Sequence, residues 1–252
     1  MRNQLVPILT GMAALCCLTV SAATVTVIDV TSPGGSGSAN GALFSYDDPQ
    51  PTGTGVIDPF LREQNTGSEI GVNTSIKGQV ILNTIAYDNK DPVNYTHDVD
   101  ITSLQQVNGY YKFSLDANQV GNNPISLTTF KIFVSPTAFT DPTALGNFLS
   151  GTANFDMNAT GLNRVDIGSQ NGSGSGDMHV LVPVGTLPST GFLYLVAGFS
   201  VDANGNGFAS NDGFEEWYSQ NGPNATPDTA STLGLLGLAM AGVETLRRKL
   251  RA

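Results

Sequence analysis

A segment that begins at Asp202 has the residue types and spacing of a calcium-binding loop. Oxygen-bearing side chains stand at loop positions 1, 3 and 5, which are Asp202, Asn204 and Asn206, and a glycine follows at position 6. Calcium loops of the EF-hand kind use this pattern. Position 12 is Gly213, whereas such a loop needs a carboxylate there, and Asp212 lies one residue earlier. The sequence predicts a partial Ca²⁺ site of Asp202, Asn204, Asn206 and Asp212, and the alternative is a tight Asn-Gly turn.

Carboxylates and histidines offer a second kind of chemistry. Glu215 and Glu216 stand beside Trp217, but adjacent strand residues point to opposite faces. A glycosidase needs two carboxyl groups that face each other at about 5 to 10 Å, and no partner is fixed by the sequence. His97 and His179 could form a metal or acid-base pair, although solvated strand positions are the simpler interpretation. We therefore predict no catalytic residue and a non-enzymatic protein.

Short strands separated by turns must position these residues. Runs of β-branched and aromatic residues alternate with polar ones, and Asn-Gly and Gly-Ser pairs separate them. One short helix is predicted at Pro142–Leu149, and a flexible link at Ser32–Ser38. This pattern predicts an all-β antiparallel sandwich or jelly roll, one domain over residues 24–218. The clearest predicted strands are Thr24–Val30, Gln79–Tyr87, His97–Ile101, Tyr110–Leu115, Ile125–Val134, Leu162–Ile167, Met178–Val184 and Phe192–Val201.

The charge of the body limits its partners. Residues 24–227 carry 6 basic and 19 acidic side chains, a net charge of −13. Phosphate backbones and anionic lipids repel such a surface, so nucleic acid is excluded as a partner and divalent cations are tolerated. The only cysteines, Cys16 and Cys17, precede this body, so it folds without a disulfide.

The amino-terminal residues 1–23 have the organisation of a signal peptide. A basic start is followed by the apolar run Leu5–Val20, and small residues lead to Ala23. This order is typical of secretory leaders, in which small residues precede the cleavage site. We expect cleavage after Ala23 and export of the chain.

The carboxy-terminal residues 227–252 follow a polar linker at 219–226. The apolar run Leu233–Val243 has 11 residues, which reach about 16 Å as a helix. Even Ala230–Leu246 spans only about 25 Å, less than the hydrocarbon core of about 30 Å. We therefore expect the segment to be a temporary membrane anchor, and the alternative is an amphipathic helix packed on the body. Its basic end would stay cytoplasmic, and consists of Arg247, Arg248, Lys249 and Arg251.

Motif, apolar helix and basic cluster together resemble the PEP-CTERM sorting signals, in the variant that reads Val-Pro-Asp-Ser-Gly. The corresponding motif here is Pro227, Asp228, Thr229, Ala230 and Ser231, with Thr226 in place of Val and Thr229-Ala230 in place of Ser-Gly. The resemblance implies that an exosortase processes the exported chain while the helix holds it in the inner membrane of a Gram-negative-type bacterium. Stretches between residues 53 and 217 also look like uncharacterised bacterial proteins that end in such signals.

The resemblance implies delivery to the cell surface or to an exopolysaccharide matrix, where a structural or adhesive role is expected. A second hypothesis is a carbohydrate-binding module assisted by calcium, and a third is a polysaccharide-active hydrolase. Five Asn-X-Ser/Thr sequons occur, and turn composition explains most of them. These are Asn73, Asn94, Asn158, Asn171 and Asn224.

Overall fold

A computed structural model describes residues 23–47, 57–77, 79–82, 85–92, 94–169 and 176–219. Within these ranges the chain forms eighteen strands, three short 3-10 helices and one α-helix, α1 (Pro142–Leu149). The strands are β1 (Val25–Val30), β2 (Ser36–Ala39), β3 (Ala42–Tyr46), β4 (Pro59–Glu63), β5 (Thr66–Gly67), β6 (Glu69–Val72), β7 (Ile81–Leu82), β8 (Ile85–Ala86), β9 (Val99–Asp100), β10 (Gln106–Val107), β11 (Tyr110–Asn118), β12 (Ile125–Ser135), β13 (Phe155–Asp156), β14 (Leu162–Ile167), β15 (Met178–Pro183), β16 (Phe192–Phe199), β17 (Ser210–Asn211) and β18 (Phe214–Tyr218).

Two seven-stranded sheets make up most of the fold. The first sheet has the order β1-β14-β12-β16-β6, with β13 beside β12 and β9 beside β16. The second sheet has the order β2-β3-β15-β11-β18-β4, with β10 beside β11. Between the described strands, β1 and β14 make the one parallel pair, and the other strand pairs are antiparallel. The prediction of an all-β chain with antiparallel sheets is confirmed.

An aromatic cluster between the sheets forms the core. Phe130 of β12 is surrounded by four other rings at centroid distances of 5.2 to 6.1 Å. Phe44, Phe113 and Trp217 come from the second sheet, and Phe155 comes from the first. Most of these pairs meet edge to face, the favourable orientation for ring quadrupoles. The inner faces of the two sheets therefore pack on each other, as in a sandwich.

Helix α1 covers the outer face of the first sheet. Asp141 caps its start by accepting a 2.7 Å hydrogen bond from the Ala144 N–H, and Pro142 occupies the first helical turn, where its missing donor costs nothing. The apolar side of the helix packs in a second cluster with Phe133 and Tyr194. The predicted helix is confirmed, and strand β16 is buried on both faces.

The two long sides of the sandwich close differently. On one side β1 packs against β2, where a Cβ on Gly37 would lie 2.9 Å from Ile28. On the other side β4 packs against β6, where a Cβ on Gly71 would lie 2.8 Å from the Glu63 carboxyl. We call these the apolar seam and the acidic seam.

Two local predictions were wrong. The Gly- and Ser-rich stretch predicted as a flexible link contains β2, which forms a hairpin with β3. The connecting residues Asn40 and Gly41 have φ angles of 47° and 84°, the conformation of a two-residue hairpin turn. The strand predicted at Gln79–Tyr87 is instead the short hairpin of β7 and β8. In both stretches the apolar alternation is interrupted, so the sequence pattern did not predict the hairpin.

The predicted leader, the linker beyond Ser219, the sorting motif and the basic end lie outside the described residues. Ala23 is the first residue described, and its carbonyl accepts a 2.8 Å hydrogen bond from Asn204 Nδ2. The predicted domain boundaries and cleavage site stay predictions. No helix within the described part of the chain has the length and apolar character that a membrane crossing requires.

Candidate functional site

The predicted calcium loop adopts a turn that is closed by its own backbone. The Asp202 N–H donates to the Asn206 carbonyl at 2.7 Å, and Asp202 Oδ1 accepts from the N–H groups of Asn204 and Asn206. Asp202 Oδ2 pairs with the Arg164 guanidinium at 2.6 Å. Hydrogen bonds from the loop and the charge of Arg164 lower the pKa of Asp202, against the opposing effect of burial, which is the largest single influence. Both carboxylate oxygens of Asp202 therefore already have partners.

Asp212, the fourth predicted ligand, belongs to the turn between β17 and β18. Its N–H donates to the Asn65 carbonyl, and its own carbonyl accepts from Gln64 Nε2 at 3.0 Å. Within the described residues, no group of three or more His, Cys, Asp or Glu side chains is arranged as a metal site. The geometry favours the alternative of an Asn-Gly turn, and calcium binding stays a prediction.

The two histidines have separate neighbours. His97 Nδ1 lies 3.0 Å from the carbonyl of Asp98, the next residue in the chain. His179 on β15 lies 3.7 Å from Asp47 Oδ1. The two rings therefore do not form a pair, and His179 Nδ1 is a buried nitrogen that makes no hydrogen bond to the described residues.

Three glutamates that meet inside the acidic seam form the most unusual group of side chains. Glu63 on β4 and Glu215 on β18 are directly opposite each other in the second sheet. Glu69 on β6 approaches them from the first sheet and contacts Glu215. Glu63 and Glu215 are 0% exposed, and Glu69 is 3% exposed. We call Glu63, Glu69 and Glu215 the glutamate cluster.

Few donors reach the glutamate cluster. Gln119 Nε2 donates to Glu215 Oε1, and the Asn65 N–H donates to Glu69 Oε2 at 2.7 Å. The Gln119 amide is held in this orientation because its Oε1 accepts a 2.8 Å hydrogen bond from the Asn211 N–H. The other four carboxyl oxygens accept no well-formed hydrogen bond from the described residues. The cluster therefore lacks the donors that a fully ionised set requires.

Burial favours the protonated form of the cluster. It raises the pKa of Glu63 well above the usual range, and the charges of Glu69 and Asp88 raise it further, while the nearby Trp217 indole N–H partly opposes them. Burial also raises the pKa of Glu215 strongly, helped by the contact with Glu69. The pKa of Glu69 rises for the same reason, although Glu215 and the Asn65 N–H partly offset the burial. The contact between Glu69 and Glu215 requires a proton on one of them.

Glu216 points to the opposite face of the second sheet, as the alternation along a strand predicts. Arg62, directly opposite on β4, donates to Glu216 Oε1 from Nε at 2.7 Å. The guanidinium carbon of Arg62 also lies 3.6 Å from the ring centroid of Tyr95. Glu215 and Glu216 are thus separated into an interior acid and an ion-paired carboxylate.

A groove of about 530 Å³ borders the cluster. It lies beside β6, β12 and β16, next to the β7–β8 hairpin, and Glu69 reaches it from the cluster. Asp88 stands in its wall, where it accepts hydrogen bonds from Asn65 Nδ2 and from the Ile70 N–H. Most other lining residues carry small hydroxyl or aliphatic side chains, and the full lining is Asn65, Ser68, Glu69, Ile70, Ile85, Ala86, Asp88, Thr128, Thr129, Gly198 and Ser200.

The sequence drew attention to Glu215 only as a neighbour of Glu216 and Trp217, and it did not point to Glu63 or Glu69. Glu63 lies two residues after the buried Leu61, and Glu69 lies two residues before the buried Gly71. A period of two places each glutamate on the inner face of its strand. This alternation was the available signal, yet a strand glutamate usually faces solvent.

The fold is that of an all-β, sandwich-like domain, and the cluster gives it an acidic interior. Comparison of the chain with protein-family models, with curated proteins and with solved structures finds no match.

Proposed function

We propose that this chain is an exported bacterial protein of the cell surface or extracellular matrix, with a structural or adhesive and non-enzymatic role. The carboxy-terminal motif Pro227 to Ser231, followed by an apolar run and a basic end, carries the proposal for routing. An exosortase would process the chain while its carboxy-terminal helix sits transiently in the inner membrane.

The geometry of the acids supports a non-enzymatic body. Glycosidase carboxyl groups stand about 5 to 10 Å apart, with room for a sugar or a water between them. Glu69 and Glu215 are instead neighbours inside the protein, and both are buried. Glu63 and Glu215 are also closed off from solvent, so a substrate cannot reach between them, and a hydrolase is the least favoured hypothesis.

The cross-bracing of the body suits a structural role without disulfides. Buried Asn73 connects the residues after β6 to β16, and Arg164 of β14 pairs at 2.6 Å with Asp202, which follows β16. Such internal polar contacts fix one packing arrangement where cysteines are absent. This arrangement suits a domain that is exported and then holds its shape outside the cell.

A carbohydrate-binding module is the second candidate, and the groove favours it. Hydroxyl, amide and carboxyl groups line the groove together with aliphatic Ile70 and Ile85. Polar groups that fix the orientation of a ligand above an apolar surface are typical of small-molecule binding sites, and a sugar offers hydroxyl groups to match them. The polysaccharide of the surrounding matrix would be the natural ligand.

The routing is tested by expressing the full chain in hosts with and without an exosortase, followed by mass spectrometry of the exported product. We expect loss of the tail only in the host with the enzyme, and loss of processing in the variant Pro227→Ala. The variant Pro223→Ala, in the preceding linker, is the matched control and should be processed normally. An identical tail mass in both hosts would refute the routing.

Binding in the groove is tested on a glycan array with and without EDTA. The groove-lining Ser68 is exposed, so Ser68→Trp fills the groove without changing the core. Ser189→Trp, at another exposed position, is the control. Glycan binding that survives Ser68→Trp would place the site elsewhere. If the wild-type protein binds no glycan, the structural role is the only candidate that remains.

A further inference from the structure

The glutamate cluster joins the two sheets at one long side of the sandwich. Glu63 and Glu215 belong to the second sheet, and Glu69 belongs to the first. Gly71 leaves room for the approach, because a Cβ there would lie 2.8 Å from Glu63 Oε2. The side chains that close this seam are therefore acids, whereas Ile28 and Gly37 close the apolar seam.

The groups around the cluster do not supply a compensating cation. Asp88 adds a fourth acid near Glu63 and Glu69. The neutral groups that face the cluster are Gln119, the Asn65 and Gly71 N–H groups, Ser210 and the Trp217 indole.

No described lysine or arginine is ion-paired with Glu63, Glu69 or Glu215. The nearest arginine along the chain, Arg62, points to the outer face, where it pairs with Glu216 and Asp91. Several buried carboxylates in contact without a cation would be strongly unfavourable.

We propose that the glutamate cluster is a proton-binding site that holds the two sheets together, and that the acidic seam loosens when its protons are lost. Three observations carry this assignment. Glu63 lies opposite Glu215 in the strand register, and β6 of the first sheet approaches Glu63 at Gly71. Glu63 and Glu215 are completely buried, and four carboxyl oxygens of the cluster accept no well-formed hydrogen bond from the described residues. A proton neutralises a buried carboxylate and turns one of its oxygens into a hydrogen-bond donor for a neighbouring carboxyl. The assignment is independent of the proposed routing and goes beyond it.

The direction of the pH effect follows from the protons bound in each state. In the unfolded chain the three carboxyls release their protons near pH 4.3, the usual value for glutamate. The folded chain keeps protons to higher pH, because burial raises the pKa of Glu63, Glu69 and Glu215. The folded state therefore binds more protons, and its stability is full below about pH 4.3 and falls as pH rises through the raised pKa values. Each unit by which a pKa is raised corresponds to a tenfold change in the folding equilibrium.

The window from pH 5 to pH 9 isolates this effect from the other shifted carboxyls. Hydrogen bonds lower the pKa of Asp29 and of Asp100, and partners likewise lower the pKa of Asp47 and of Asp202 in spite of burial. All four remain ionised throughout this window, so their contribution to stability does not change there.

The test is the thermal stability of the full-length chain, purified in mild detergent, between pH 5 and pH 9. We expect the wild-type melting temperature to fall as pH rises. Glu63→Gln and Glu215→Gln keep the shape of the side chain but cannot ionise, so each should flatten the fall. Glu216→Gln, on the opposite face of the same strand, should leave the slope unchanged. A flat or rising wild-type profile, or equal flattening by Glu216→Gln, would overturn the proposal.

A measurement on the wild-type chain covers the case in which a variant does not fold. Amide hydrogen exchange, corrected for the intrinsic effect of pH, should show that β4 and β6 lose protection from pH 5 to pH 9 more than β1 and β2. Equal loss at both seams would contradict the proposal. Calcium or magnesium chloride added at pH 9 should not restore the protection, and restoration would identify a cation site in place of a proton site.

Discussion

Asn73 gives the most direct test of how the fold is held together. It follows β6 and is completely buried. Its Nδ2 donates to the carbonyls of His97 and Leu193 at 3.1 and 2.9 Å, and its Oδ1 accepts from the Leu195 N–H at 2.5 Å. One side chain thus satisfies three backbone groups, two of them on the central part of β16. The burial also means that the Asn73 sequon cannot carry a glycan in the folded protein.

The variant Asn73→Ala removes all three hydrogen bonds at once. A buried polar group that loses its partner costs about 1 to 3 kcal/mol, so three such groups predict a loss of at least about 3 kcal/mol in the free energy of unfolding. A domain of this size has a total stability of about 5 to 15 kcal/mol. The loss would therefore be a large fraction of the whole.

The variant Asn73→Asp separates shape from hydrogen bonding. It keeps the acceptor towards Leu195 but places a carboxylate oxygen against the carbonyls of His97 and Leu193. We expect Asn73→Asp to be at least as destabilising as Asn73→Ala at neutral pH, and to recover partly at low pH, where the protonated acid can donate one bond.

Urea denaturation followed by fluorescence measures both variants, because Trp217 is the only tryptophan and is fully buried. The control Asn123→Ala removes one exposed hydrogen bond to the Val120 carbonyl and should cost less than about 1 kcal/mol. If Asn73→Ala were as mild as this control, or if Asn73→Asp were the milder variant at neutral pH, the assigned bracing role would be wrong.

Three further predictions concern packing and the Asp202 turn. Gly213→Ala should lower the free energy of unfolding by more than about 3 kcal/mol in chemical denaturation, because its Cβ would lie 2.0 Å from the Asn118 carbonyl oxygen. Gly205→Ala is the control: its Cβ would have open space, but φ is +77°, so it should cost about 1 to 2 kcal/mol. Phe130→Ala should cost about 3 to 5 kcal/mol in the same assay, because it leaves a cavity among four rings. Calcium should not raise the melting temperature, because Asp202 already has partners, and a saturable rise that Asp202→Asn abolishes would contradict the turn assignment.

Local signals explain which elements the sequence could predict. Helix α1 was predicted with its observed bounds because Asp141 and Pro142 mark its start. Strand β14 likewise has its predicted bounds, since an alternating run is closed by turn residues on both sides. The parallel pairing of β1 with β14 could not be predicted, because strand partners 137 residues apart are chosen by packing and not by local pattern.

The candidate site could be predicted from the sequence only in part, for the same reason. Glu215 attracted interest through its neighbours Glu216 and Trp217, but Glu63 and Glu69 lie about 150 residues earlier in the chain. Only the register of β4 with β18, and the approach of β6, bring the three acids together. Asp202 shows the opposite case, in which a convincing local pattern serves a turn because Arg164 reaches it from β14.

Strand β16 limits how far this sequence can diverge. Seven of its eight residues are buried, since the aromatic core lies on one side and the cluster under α1 on the other. Strand β15 in the second sheet has only alternate positions buried, which leaves His179 and Leu181 freer to vary. Substitutions should therefore accumulate at the outer positions of β15 and in the turns. Distant relatives would then be recognised best by the volumes and order of the buried residues in β12, β14 and β16.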